Sequence, residues 1–384
     1  MSEVLKNVVL VGAGPAGALV AQELVKKLPA THRLVIISAT DFGYAVWASL
    51  RASVVPGWEN KVIVPLEGLV PKGSRHVLLK STSVVELKET SVVVDKETEL
   101  GKEIYFDIAI LALGSTYHFP CRPPIATPAE TTVGLLKGRQ DAIASAKSIL
   151  IVGGGPIGIE FAGEIASQDR SKSITLVHAH EALGPPNAGL LPKFQNGLKA
   201  QLEKVGVDVV LGRRPDISDL KTGPIEGGKY IDLGDGKTVH ADYLFLATGN
   251  RPNTHLVSKL DPTLVNEAGL VTVRPTFQLL SSNPAFSRIF ATGDITDVKE
   301  VKTFYNGKQN APFVVANVVA LAQGKTDKAV LKSYKPGAPA MFICVGPGGG
   351  NIQIFGWVLG PWLTSIAKSK HLLLSMFTAL YNAN

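Results

Sequence analysis

Two glycine fingerprints constrain this chain more than anything else in it: Gly12-Ala13-Gly14-Pro15-Ala16-Gly17 and Gly153-Gly154-Gly155-Pro156-Ile157-Gly158. Each follows an apolar run, Val8–Val11 and Ile149–Val152, and each opens a helix-like stretch. Glycine lets the backbone turn tightly and come close to a pyrophosphate, whose charge meets free N–H groups at the helix start. One such motif is a weak signal, compatible with an ordinary βα turn. Two copies in strand–turn–helix context point to two dinucleotide sites in one chain.

At 384 residues the chain exceeds one ordinary core, so two or three domains are expected. An apolar content of 45% with 18% charged residues describes a folded protein rather than a disordered one. The first strand, from Asn7, starts too early for a signal or transit peptide, and a cytoplasmic location is expected. The two cysteines, Cys121 and Cys344, form no C-x-x-C or metal spacing, which fits a reducing compartment. A net charge of +7 suits a phosphate-rich cofactor, an anionic membrane or nucleic acid. Lys and Arg are scattered rather than clustered, so charge alone selects none of these, and no nucleic-acid partner is expected.

The first segment reads as a βαβ unit: strand 7–11, helix from about Ala16 to Leu28, strand 33–37. A β-rich stretch leads to Leu111-Ala112-Leu113-Gly114-Ser115. The second fingerprint opens another unit, with a helix from Gly158 to Ser167 and a strand at 174–177, closing at Leu246-Ala247-Thr248-Gly249-Asn250. These two apolar strands ending in small residues are copies of one element, lying at nearly equal distances beyond the two fingerprints. A duplicated nucleotide-binding domain, the second copy inserted in the first, accounts for that spacing. Ile289–Asp294 repeats the strand–glycine form but ends in an acid. From Ala338 to Ala367 no residue is charged, yet Gly346 to Gly350 and Pro361 break this window into pieces too short to span a bilayer. The stretch 372–380 reads as an apolar helix packed on the body, with contact to membrane or a lipid-soluble substrate as the alternative.

This order of elements resembles the two-dinucleotide-domain flavoproteins related to glutathione reductase and type II NADH dehydrogenase. Within them it is most similar to the apoptosis-inducing-factor-like group that includes ferroptosis suppressor proteins. Residues 48–54 (ASLRASV), 158–164 (GIEFAGE), Tyr334–Ala338 and Ala367–Lys370 carry the closer match. The resemblance implies an α/β fold with two Rossmann-like domains: FAD on 1–118 and 252–325, NADH or NADPH on 119–251, and a small α+β C-terminal domain at 326–384. It places Gly12, Gly14, Pro15, Ala16 and Gly17 at the FAD pyrophosphate, with Arg51 near the phosphates. Thr82 would meet adenine through its backbone, Gly114 would pass beside FAD, and Asp294 would hold its ribityl or phosphate side. Gly153, Gly155, Gly158 and Gly249 would serve the nicotinamide nucleotide, with Glu160 facing the nicotinamide.

Two positions depart from that pattern. Ser38, with Asp41 three residues on, stands where an acid often holds the FAD ribose. His178-Ala179-His180 stands at the matching place in the second unit, so no carboxylate repels a 2′-phosphate and NADPH should be tolerated. No cysteine pair is placed against the flavin, so electrons should pass to an external acceptor such as a quinone. Position 2 is Ser2, without the glycine that myristoylation needs. Phe355, Trp357 and Trp362 are candidates to line an acceptor slot, and removing the chain after Ser365 should leave FAD in place. Alternatives are a type II NADH dehydrogenase, or an NADH sensor with little turnover. Homodimerisation and peripheral lipid contact stay open.

Overall fold

Apolar runs such as Val8–Val11, with both faces covered, suit the interior of parallel sheets, and the computed structural model builds two of them. It describes residues 5–234, 236–325 and 330–382; Ser2 and the expected domain start at 326 lie outside the described residues. In the first sheet Lys6–Val11 is central, flanked by His32–Ile37 and Ile108–Leu111, with Val77–Leu79 and Ile289–Ala291 at the edges, all parallel. In the second, Ser148–Val152 lies between Ser173–Val177 and Thr238–Leu246. Val207–Val210 forms one edge and the antiparallel Gly223–Asp232 the other. This is the α/β architecture with two dinucleotide-type sheets that the fingerprints predict.

The chain leaves the first sheet after Leu111, builds the second, and returns to add Ile289–Ala291. Its outgoing and returning crossings pair as a short antiparallel ribbon, Ser115 opposite Pro252 and Thr116 opposite Arg251. The first fingerprint helix, Pro15–Lys27, has proline in its first turn, where the missing N–H costs nothing. It buries Gly17, Val20, Ala21, Leu24 and Val25 and stops at Leu28, extended before Pro29. The long helix Phe304–Ala322 packs along it, started by Thr303, whose Oγ1 accepts from Asn306 N at 3.2 Å.

A third, antiparallel sheet of Met341–Val345, Gly349–Ile354 and Trp357–Leu359 packs against the second fingerprint helix, Pro156–Gln168. Backbones nearly touch there: a Cβ on Gly163 would lie 2.6 Å from Gly346 N. The expected 372–380 helix is shorter than predicted. It runs from Leu374 to Leu380, because Leu372 and Leu373 adopt positive φ (46° and 52°). That break lets the Leu372 carbonyl accept from Trp47 Nε1 at 2.7 Å. Among the described residues, no helix is long and apolar enough to cross a membrane.

Candidate dinucleotide sites

The two glycine turns are built alike. Gly12 and Gly153 have φ of +104° and +118°, and a Cβ on either would strike a backbone carbonyl, Ala112 at 2.4 Å or Ala247 at 2.8 Å. A Cβ on Gly17 or Gly158 would lie 1.9 Å from the carbonyl oxygen of Gly12 or Gly153. These four glycines therefore hold strand, turn and helix together. Gly14 and Gly155 differ, since an added Cβ there meets nothing within 4 Å. Each precedes a helix that begins with proline, so open space faces the helix start. That cradle fits a bound pyrophosphate at both turns.

The third glycine strand ends against the first turn: a Cβ on Gly293 would approach the Ala16 Cβ at 3.0 Å. Asp294 follows, and burial pushes its carboxyl up while Ser115, Lys302 and Arg122 pull it down. Arg122, which the sequence did not single out, donates to the Ser115 carbonyl at 2.9 Å and sits where a Gly114 side chain would be. Lys302, also unforeseen, is lowered by burial against the pull of Glu300 and Asp294. Neither carries a local sequence signal; each is brought in by the fold. Thr82 is buried beside Ser38, to whose carbonyl it donates its N–H at 2.8 Å. Near Ser38 the carboxylate Oδ1 of Asp41 is buried without a partner.

Tyr117, Cys121, Ile157, Phe245, Thr248 and Asn250 line a cleft beside the inter-unit ribbon, next to Gly249 with φ of +81°. Burial and Asp294 raise Tyr117 to about 12, linking this cleft electrostatically to the first site. His178 is buried, and its Nδ1 accepts from Gly154 N at 3.0 Å. The imidazole thus holds the second glycine turn, and Gly154 has no room for a Cβ beneath it. His180 is exposed and stacks edge-on to His178 at 5.1 Å.

Two acids one turn apart on the second fingerprint helix, Glu160 and Glu164, each hold a cation from elsewhere in the chain. Lys368 donates to Glu160 Oε1 at 2.7 Å and to the Phe342 carbonyl at 2.8 Å; Cys344 N adds a third contact, to Glu160 at 3.1 Å. Burial alone would lower the Lys368 pKa, but Cys344 and Glu160 outweigh it and raise it. Arg51 grips Glu164 through Nε at 2.7 Å and Nη2 at 2.6 Å and donates to the Ser369 and Lys370 carbonyls. Burial pushes Glu164 up despite Arg51, and Glu160 adds to the push. The guanidinium expected near the FAD phosphates is therefore already neutralised by a carboxylate, and it bridges three parts of the chain. Glu160 is not a solvated acid: it is 7% exposed and paired.

One expectation about the C-terminal segment fails. Phe355, Trp357 and Trp362 line no slot, being 73%, 74% and 72% exposed. The segment beyond Ser365 also touches the first glycine turn, which bears on the expectation that FAD survives its removal. Tyr381 is buried, donates to the Ala13 carbonyl at 3.0 Å and lies against Gly43, where a Cβ would reach its ring at 2.4 Å. Phe377 stacks on Trp47.

The family model for pyridine nucleotide-disulphide oxidoreductases matches residues 6–320, spanning both glycine turns and Asp294. The chain belongs to that family. This pyridine nucleotide-disulphide oxidoreductase is 29% identical to apoptosis-inducing factor homolog A of Dictyostelium discoideum, over 98% of the chain and 92% of the relative. It is 28% identical to ferroptosis suppressor protein 1 of Homo sapiens, over 96% and 94%. The sulfide:quinone oxidoreductase of Aquifex aeolicus shares the fold, with a TM-score of 0.73 at 18% identity, over 99% of this chain and 92% of that one. Two other solved chains of the fold are longer, and the protein spans 60% and 63% of them. Membership makes the protein an NAD(P)H-dependent flavin oxidoreductase that uses FAD, in agreement with the resemblance read from its motifs.

Proposed function

We propose that the protein oxidises NADH or NADPH through FAD and hands the electrons to a quinone-type acceptor. The observation that carries this reading is the state of its cysteines. Cys121 and Cys344 are both free and buried, and burial raises each thiol to about 12. Neither is a thiolate at neutral pH, so neither suits a disulfide relay, and electrons must leave for an external acceptor.

In this reading FAD lies on residues 1–118 and 252–325, with Gly12, Gly14, Pro15, Ala16 and Gly17 at the pyrophosphate, Thr82 toward adenine and Asp294 with Gly114 along the ribityl chain. NAD(P)H lies on 119–251, with Gly153, Gly155, Gly158 and Gly249 under the nucleotide; residues 326–384 close the site. Bound FAD would supply the hydride-accepting group for the nicotinamide and the electron pair for the acceptor. The protein's part is to hold charge and shape. Arg122 and Lys302 keep positive charge beside Asp294, Glu160 and Lys368 form a neutral pair next to the second turn, and Tyr117 with Ile157 offers a weakly polar wall to a ring. Arg51 supports the site from behind rather than through a phosphate.

The test is steady-state oxidation of NADH and NADPH with a panel of soluble quinones. Turnover of about 1 s⁻¹ or more with at least one quinone is expected, within the ordinary range for enzymes. Slow oxidation with every acceptor would make the protein a nucleotide sensor instead.

A further inference from the structure

The last hairpin and the turn of helix after it carry large apolar side chains that the fold leaves in water. Trp357, Phe355, Trp362, Ile366 and Leu363 are 74%, 73%, 72%, 61% and 42% exposed, all within twelve residues. The same sheet buries Met341, Ile343, Val345 and Ile352, so its packing needs are met without them. The hairpin tip adds a second observation. Phe355 and Gly356 both have positive φ, 50° and 79°, a turn that Asn-Gly would make with little strain. A phenylalanine held in that conformation, with its ring in solvent, serves something other than folding.

Charge selects the occupant. Ala338 to Ala367 holds no charged residue, and Lys368, Lys370 and His371 follow at once, the last two exposed. Exposed tryptophans beside an uncharged tip, backed by the exposed Lys370 and His371, match the boundary between headgroups and acyl chains. We propose that this edge seats in the interfacial layer of a lipid bilayer, with Phe355, Trp357, Trp362, Leu363 and Ile366 inserted and Lys370 at the headgroups. Contact is from one side, in keeping with the lack of a spanning helix among the described residues. The proposal stands apart from the quinone reading, because vesicle binding is measured without turnover.

The experiment floats the FAD-loaded full chain with phosphatidylcholine vesicles, with and without phosphatidylserine. Wild type should float with both, more strongly with phosphatidylserine at low salt, and its tryptophan emission should shift to the blue. F355S/W357S/W362S should lower partitioning at least about tenfold while keeping FAD content and melting temperature, since the three side chains are exposed. W357F/W362F should retain binding. Three results overturn the proposal: no flotation of wild type; binding that needs phosphatidylserine, vanishes with salt and ignores the triple substitution; or a dimer in sedimentation equilibrium that the triple substitution dissolves without any flotation, which would make a second copy the occupant.

Discussion

The hydroxyl of Tyr381 donates to the carbonyl of Ala13 at 3.0 Å, so the end of the chain braces the glycine turn at its beginning. Tyr381→Phe should weaken FAD binding about fivefold, the effect of one hydrogen bond of roughly 1 kcal/mol. Removing the chain after Ser365 should cost far more, stripping Arg51 of two carbonyl acceptors and Glu160 of Lys368. Flavin absorbance per chain measures both. A truncated protein with full FAD content would show that the bracing contacts do not reach the cofactor.

Glycines in one fingerprint should fail in different ways. Gly14→Ala adds a methyl to open space, so apo-protein stability should hold while FAD occupancy falls. Gly17→Ala drives a Cβ to 1.9 Å from the Gly12 carbonyl and should lower stability itself, by roughly 1–3 kcal/mol as for other overpacked sites. Melting curves of the apo forms beside flavin titrations separate the two. Gly155→Ala and Gly158→Ala should repeat the contrast for NAD(P)H.

Arg51→Met leaves the buried Glu164 carboxylate without its guanidinium, a loss of roughly 3–5 kcal/mol. Arg51→Met with Glu164→Leu should recover most of that stability, since an apolar pair can replace a buried ion pair. Denaturant unfolding is the measurement. A double variant as unstable as Arg51→Met alone would mean the carbonyl contacts to Ser369 and Lys370 matter more than the charge pair.

Glu160→Gln and Lys368→Met should each slow flavin reduction by NAD(P)H about tenfold or more, equal to roughly 1.4 kcal/mol of barrier, with FAD content intact. Rapid mixing reads this step apart from acceptor turnover. Unchanged reduction in both variants would leave the pair as a fastening between the second unit and the C-terminal segment.

Burial lowers the His178 pKa from its ordinary 6.5, with His180 adding to the shift. Below about pH 6.5 the unfolded chain then binds a proton that the folded one resists, so this histidine's share of stability is full above that pH and shrinks as pH falls. His178→Gln keeps an acceptor for the Gly154 N–H and does not titrate, so its melting temperature should drop less than wild type between about pH 7 and about pH 5.5. Equal drops would assign the acid sensitivity elsewhere, His76 being also lowered by burial.

Both glycine turns were legible in the sequence because their constraint is local: a few residues must tolerate positive φ and a carbonyl at contact distance. The strands followed from the same run of residues, and the helices, expected from about Ala16 and Gly158, begin slightly earlier at Pro15 and Pro156. Pairings across 113 and 208 positions, Arg51 with Glu164 and Glu160 with Lys368, were beyond such reading, because a charged residue does not announce its partner. Family likeness put Arg51 beside phosphate, yet a carboxylate inside the protein holds it. Hydrophobicity likewise does not say whether Trp357 faces a core or water; only the packed sheet around Ile343 and Ile352 decides that. Nor does the sequence say that His178 is buried, accepting from the Gly154 N–H of the second glycine turn.

Ser115 sits opposite Pro252, and Thr116 opposite Arg251, so the chain departs for the second unit and comes home at neighbouring points, one strand spacing of about 5 Å apart. A segment whose two ends nearly meet can be lifted out and its gap closed by a short turn, or exchanged for a different nucleotide module, without reshaping the first sheet. The ribbon is therefore a natural splice junction. What would resist such grafting is not connectivity but contact: any transplanted helix would have to replace Glu160 and Glu164 opposite Lys368 and Arg51, and Ile159, Phe161 and Ala162 in the apolar core they share with Leu50, Val54 and Ile343.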